Sequence, residues 1–497
     1  MGAGETALGR PGPSGAAAVP EPLAQDVLAR LVPRTTESGG RSIPSPPAAT
    51  TCGLLALSLL ASAGAGAQAP RHDGANIVLI YIDNVGWGDL ACYGNPAMRT
   101  PNIDRLASQG VRLTDFYIPS SSCSPSRGAL LTGRYPDRNG LTHQLSVQEN
   151  WSGIGLPHSE RILPEYLKER GYATGAFGKW NIGFAEGSRP TDRGFDEYLG
   201  CISGNCDYFT YTYNGRLDMH AGTEPAEMEG YTTDIFADAA CDFIRRHADR
   251  QFFAFVPFNA AHYPNPRNKK PGQPFRWQAP AEFFRAYGYD PETEIPLQGY
   301  RAVMTALDAG IGRVLDQIET QDLAERTLVI LASDNGAWVG PRRPQLEVAS
   351  NAPFRDGRTS LYEGGIRTPC IIRWPGILPR GAVVREPLVN MDLFVLTLRA
   401  AGLQPPPGLE VDGRDPLPAL RDGAGSPHGS LFFRYRDVSA MRQGNWKLVR
   451  PARTAPLELY DISADFAETT NLATSRPELA RRLWLEFESW LAGTVPD

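Results

Sequence analysis

The chain has 497 residues, 42% apolar and 21% charged, enough to bury a substantial core and, by length, to form about two or three domains. Lys plus Arg is 49 and Asp plus Glu is 55, a net charge of -6. No overall positive field recommends a nucleic-acid partner, and an anionic ligand needs a locally basic pocket.

From Ser42 to Pro70 no residue is charged; the stretch contains GLLALSLL (Gly53 to Leu60), then the small-residue run ASAGAGAQA, with Arg41 upstream. This pattern predicts a secretory signal peptide within a leader over 1–70, and an exported protein, secreted or periplasmic. The apolar core is shorter than the about 20 residues a membrane span needs, and no later stretch reaches that length, so no transmembrane segment is expected. Six cysteines follow Cys52: Cys92, Cys123, Cys201, Cys206, Cys241 and Cys370. They are too few for a disulfide scaffold at this size, and the spacing of Cys201 and Cys206 permits a local pair without requiring one.

From Asn76 onward, short apolar runs alternate with helical periodicity, which predicts an α/β domain on a largely parallel sheet. NIVLIYI (Asn76 to Ile82) is the first strand. A helix capped by Thr100 and Pro101 runs to Gly110, and another, LPEYLKERG, covers Leu163 to Gly171 before the short strand ATGAF. An amphipathic helix spans Thr232 to Ala248, followed by the strand FFAFVPF (Phe252 to Phe258). Val303, Leu307, Ile311, Val314, Leu315 and Ile318 then recur at helical spacing, and TLVILA (Thr327 to Ala332) is the next strand.

Asp83 and Asn84, Lys179, His262, and Asp334 with Asn335 each follow a predicted strand within a few positions. In an open α/β sheet the carboxyl ends of the strands form the ligand crevice, so these dispersed segments converge at one edge. The character changes near Pro387. A helix near Met391 to Ala401, the run Pro405 to Pro407, the segments SLFFRYR and NWKLVR and a final helix from Pro477 predict a smaller α+β unit over 388–497 beside a catalytic unit over 71–387.

The segment CSPSRGALLTGR (Cys123 to Arg134) resembles the sulfatase signature. Further segments resemble the same family: YIDNVGWGDLACYG (Tyr81 to Gly94), GKW (Gly178 to Trp180), TDRGFDEYLG, FNAAHYP around His262, SDNG (Ser333 to Gly336), YEGGIRTP, NWKLV and ELYDISADFAETTNL. The resemblance covers Asn76 to Ala473. It implies an alkaline-phosphatase-like fold: a large mixed, mostly parallel sheet flanked by helices, and a smaller C-terminal α+β domain with a small antiparallel sheet. It also implies a sulfuric-ester hydrolase whose Cys123 is converted to formylglycine by a maturation enzyme, with sulfate passing to the enzyme and then leaving by elimination. A nucleophile at the start of a predicted helix suits this, because unpaired N–H groups and the dipole there favour an anion.

Carried over by motif, Asp83, Asn84, Asp334 and Asn335 are the implied ligands of one divalent cation, completed by position 123. Oxygen donors favour a hard ion, Ca²⁺ first and Mg²⁺ second, over zinc. The resemblance implies that Arg127 holds the nucleophile, Lys179 contacts sulfate, and His262 binds sulfate or protonates the leaving alcohol. Three positions depart from the family pattern. Asn84 replaces a second Asp; Asn181 replaces a His that helps expel sulfate, and an amide is no base near neutral pH; Arg358 replaces a second sulfate-binding Lys. Two other readings compete with hydrolysis: a degenerate member that binds sulfated ligands without turnover, and a phosphoester hydrolase of the same superfamily, which often uses two metals. Pro264 to Pro296, with Arg267, Lys269, Lys270, Phe275 and Trp277, and the loops from Cys201 to His220 are the expected pocket rim. The implied substrate is a small-molecule or carbohydrate sulfate ester.

Overall fold

The computed structural model describes residues 74–263, 277–339 and 348–494; the leader expected over 1–70 lies outside them. Arg71–Asp497 forms one compact unit. Among the described residues its largest sheet has ten strands. The central five, in spatial order Thr327–Ser333, Asn76–Ile82, Phe252–Pro257, Ala173–Phe177 and Glu197–Cys201, are all parallel. Cys370–Arg373 joins one side antiparallel, followed by Val111–Leu113 and Ala382–Val384. Met219–Ala221 and Glu224–Pro225 close the other side, also antiparallel. The sheet is therefore mixed, with a parallel centre, as the alternating pattern predicts.

The first strand explains the arrangement. All seven residues of NIVLIYI are buried, the behaviour of a strand covered on both faces. Ile77, Leu79 and Tyr81 pack with Leu130, Leu131, Leu163, Leu167, Phe394 and Leu398, from three helices on one face. Helices Thr232–Arg246 and Pro296–Thr320 pack on one another, the first also lying along Phe252–Pro257. Each such buried aliphatic side chain contributes about 1.5–3 kcal/mol. The result is a rigid base that aims the strand ends at one edge.

The C-terminal segment forms a four-stranded antiparallel sheet, Leu431–Tyr435, Val438–Gln443, Trp446–Arg450 and Glu458–Asp461. Its side chains alternate in function as they alternate in direction. Met441, Leu448 and Leu459 meet Leu483 and Phe487 of the final helix, Pro477–Thr494. Ala440, Val449 and Tyr460 instead meet Tyr117, Ile118, Leu361 and Ile366 of the larger sheet's surroundings. No helix among the described residues is long and apolar enough to cross a membrane.

Candidate active site

Cys123 opens the helix Cys123–Thr132, every residue of which is buried. Gln144 brackets this start: its Oε1 accepts from Ser122 Oγ at 3.0 Å and from the Ser124 backbone N–H at 3.2 Å. Cys123 Sγ lies 3.5 Å from Asp83 Oδ1 and 3.4 Å from Asn335 Oδ1, and Arg358 Nη2 donates to it at 3.4 Å. Burial pushes the Cys123 thiol up to about 11, although Arg358 opposes that shift. As an unmodified thiol it is neutral near pH 7 and a poor nucleophile.

Around it stand two buried carboxylates, each held by its outer oxygen. Lys179 Nζ sits 2.5 Å from Asp83 Oδ2. Arg127 donates to Asp334 Oδ2 through Nε and Nη2 at 3.1 and 2.9 Å, and through Nη1 to the Lys179 carbonyl at 2.8 Å. Each carboxylate therefore keeps its Oδ1 turned inward: Asp83 Oδ1 toward Sγ, Asp334 Oδ1 accepting from the Asn84 N–H at 3.2 Å. Burial, then the neighbouring Asp83, hold the Asp334 carboxyl above the usual carboxylate range, against Arg127 and Lys179.

This donor set fits a cation. Asp83, Cys123 and Asp334 bring ligand atoms within 4.8 Å of one another. Asn335 Nδ2 donates to Asn84 Oδ1 at 2.5 Å, so the two amides are already face to face, while Asn84 Nδ2 is buried without a partner among the described residues. Asn84 has φ 57°, a left-handed conformation that Asn tolerates and that turns the chain back at the strand end. Two inward carboxylate oxygens repel each other in a dry site, and a divalent ion beside the amide oxygens relieves that repulsion.

Among the described residues, neither His262 nor Asn181 hydrogen-bonds to Cys123. His262 Nδ1 faces the Tyr263 carbonyl at 3.0 Å. Burial first, then the positive charges of Lys179 and Arg358, hold its pKa well below 6.5. Asn181 has φ 59°, its N–H bonds to the Ile202 carbonyl at 3.0 Å, and its buried Nδ2 has no partner among the described residues. Cys201 and Cys206 are disulfide-bonded. The loop they close is pinned to both neighbours, since Trp180 N–H donates to the Cys201 carbonyl at 2.8 Å and Asn205 Nδ2 to the Tyr263 carbonyl at 2.9 Å. Arg358 Cζ lies 5.3 Å from the Trp338 ring centre. Of the expected rim, Arg267, Lys269, Lys270 and Phe275 lie outside the described residues, and Trp277 is buried against Tyr300.

Gln144 and Trp338 are neighbours outside the expected site, whereas the Cys201–Cys206 bridge lies in the expected rim. Gln144 lies in a loop with no motif of its own, and only the short spacing of Cys201 and Cys206 hinted at their bond.

An α/β sheet whose carboxyl edge collects two carboxylates, three cations and a buried helix-start residue offers a locally basic setting suited to a tetrahedral oxyanion. A family model described as Sulfatase matches residues 75–403. The chain is 33% identical to N-acetylgalactosamine-6-sulfatase of Canis lupus familiaris over 452 residues, covering 86% of this chain and 81% of that one. It is 34% identical to Homo sapiens arylsulfatase A over 487 residues, covering 86% and 89%. A solved structure of Ps i-CgsB in complex with k-i-k-neocarrahexaose superposes with a TM-score of 0.75 at 28% identity, covering 84% of this chain and 93% of that one. The chain belongs to the sulfatase family and is a sulfuric-ester hydrolase with the family's fold.

Proposed function

We propose that the enzyme is exported and hydrolyses a sulfate ester borne by a carbohydrate, using formylglycine made from Cys123 by a maturation enzyme and one Ca²⁺ ion, with Mg²⁺ the second choice. The convergence of Asp83, Asn335 and Arg358 on a single buried Sγ carries this reading. Asp83, Asn84, Asp334 and Asn335 hold the ion, with position 123 completing the site. Bound there, the ion supplies positive charge that polarises sulfate oxygens. Residues 71–387 bear these groups, and 388–497 form the smaller unit.

Lys179 and Arg358 grip sulfate oxygens from two sides, and the planar guanidinium offers paired donors. Arg127, locked between Asp334 and the Lys179 carbonyl, keeps the residue at 123 and the lysine loop in register. His262 is neutral in the free enzyme, with Nδ1–H directed at the Tyr263 carbonyl, so its Nε2 begins as an acceptor. Its Nε2 takes up a proton from water when the anionic sulfate offsets Lys179 and Arg358, and passes that proton to the leaving alcohol. Asn181 offers its unpartnered amide donor to sulfate and takes no proton. Support for a carbohydrate comes from Ps i-CgsB, whose structure holds an oligosaccharide. Support for export comes from the leader sequence.

Mass spectrometry of the tryptic peptide Leu113 to Arg127, from a host that matures sulfatases, reads position 123. It is paired with aryl sulfate turnover by the wild type and Cys123→Ala. Formylglycine at 123 and loss of turnover in the variant are expected. Turnover that survives the substitution, or sulfated-ligand binding without hydrolysis by the wild type, defeats the reading.

A further inference from the structure

We propose that the buried ion cluster centred on Lys447 is a positioning device for Arg358: through Lys447 and Glu468 the C-terminal sheet grips the segment that carries Arg358 and so sets affinity for the sulfate group. This rests on the reading of Arg358 as a sulfate-binding residue.

Arg358 stands in an irregular loop that precedes the short helix Glu363–Ile366. On the active-site side the loop is tied by backbone bonds, Arg358 N–H to the Ala337 carbonyl and Thr359 N–H to the Ser121 carbonyl, both at 3.0 Å. On the other side it is tied to the C-terminal segment. Glu468 Oε2 accepts from the Glu363 backbone N–H at 2.6 Å. Lys447 Nζ lies 2.8 Å from both Glu363 Oε1 and Glu468 Oε1, all three side chains wholly buried. Arg355, three residues before Arg358, donates to the Glu468 carbonyl at 2.9 Å. The remaining Glu363 oxygen accepts from Tyr117 at 2.6 Å and from Arg367 at 3.2 Å.

Loop and helix are tightly packed against one another. A methyl group on Gly364 would stand 2.3 Å from the Asp356 carbonyl oxygen, and one on Gly365 would stand 2.0 Å from that of Ser360. Such contacts leave no slack between Glu363 and Arg358. Thr359 and Asp356 hold φ values of 75° and 66°, conformations that persist only where the surroundings over-determine them.

Apolar packing already joins the C-terminal sheet to this region, and a buried ion cluster is a poor way to add stability because desolvation offsets most of the Coulomb gain. Its gain is direction, since each bond holds at one angle and length. A guanidinium that meets sulfate through paired donors needs that placement.

The test uses the full, matured chain and p-nitrophenyl sulfate, with Lys447→Met, Arg358→Ala, the double variant and the exposed-side variant Arg355→Ala. Lys447→Met is expected to raise KM roughly ten-fold, the loss of about one charge-assisted contact, with kcat within about two-fold. In the double variant the two KM effects are expected not to add, as for coupled residues. Arg355→Ala is expected to raise KM in the same direction, and it decides the matter if Lys447→Met does not fold. A raised KM in Arg358→Ala beside a wild-type KM in folded Lys447→Met or Arg355→Ala, whatever their melting temperatures, overturns the positioning role alone. A wild-type KM in Arg358→Ala overturns the reading of Arg358 and the proposal with it.

Discussion

Lys179 Nζ and Asp83 Oδ2 meet at 2.5 Å with both side chains wholly buried. One carboxylate thus faces Lys179 with one oxygen and Cys123 with the other, and on the proposed reading it serves sulfate binding and the cation at once. Anything that alters Lys179 alters the charge Asp83 presents inward.

Lys179→Met therefore separates two properties. On the proposed role of Lys179, sulfate loses a cationic donor, and kcat/KM for an aryl sulfate is expected to fall about 10²–10³-fold, the scale seen when one oxyanion donor is removed. Asp83 loses its neutralising partner, so Ca²⁺ affinity is expected to rise. Titration calorimetry with Ca²⁺ on the variant reads the second effect, and weaker binding would falsify the shared-carboxylate account.

The proposed ligand set of two carboxylates and two amides has a modest ligand charge. Chelation is expected to abolish turnover, with Ca²⁺ restoring it better than Zn²⁺. Asn84→Asp adds a charge at the residue whose amide already faces Asn335 at 2.5 Å and is expected to tighten Ca²⁺ roughly ten-fold. Competition with a fluorescent chelator measures it; an unchanged affinity places Asn84 outside the ligand set.

Arg127 and Asp334 are a paired, buried ion couple, 1% and 0% exposed. Arg127→Met strands the carboxylate in a dry interior, and a loss of about 3–5 kcal/mol in stability is expected. Urea unfolding of the apo protein reads this, and a loss below about 1 kcal/mol argues that water reaches Asp334.

His262 carries the pH prediction. Its folded pKa lies well below 6.5 because burial, Lys179 and Arg358 oppose its charge. Below about 6.5 the unfolded chain binds a proton that the folded protein refuses, so stability falls as pH drops through that range. His262→Gln is expected to unfold less readily than wild type at pH 5 relative to pH 7.5. Inorganic sulfate is expected to raise the His262 pKa, visible as a shift of its ring proton resonance. Equal acid sensitivity in the two proteins removes His262 as the source.

The site was legible in the sequence where it hangs on strands. Asp83, Lys179, His262 and Asp334 follow four neighbouring parallel strands, and a buried apolar run announces both the strand and its carboxyl end. Arg358 has no strand to announce it, because its loop has no periodicity. Gln144 bonds both residues flanking Cys123 yet sits 21 positions after it, a closeness that chain folding creates and no local pattern carries. The antiparallel edge strands went unread for another reason: Glu224–Pro225 is two residues long and exposed, too short for alternation to show. Likewise Lys447 and Glu363 lie in recognisable segments 84 residues apart, and nothing in either segment names the other.

The wholly buried helix at Cys123 also imposes an order in time. With every residue from Cys123 to Thr132 buried, the finished fold leaves Sγ far less open to a macromolecular catalyst than an extended chain does. If Cys123 is the residue oxidised to formylglycine, as proposed, that oxidation must precede the docking of its helix, and collapse of the sheet sets a deadline. A chain that folds first would then stay in the thiol form, and the fraction of active molecules would become the outcome of a race between two rates.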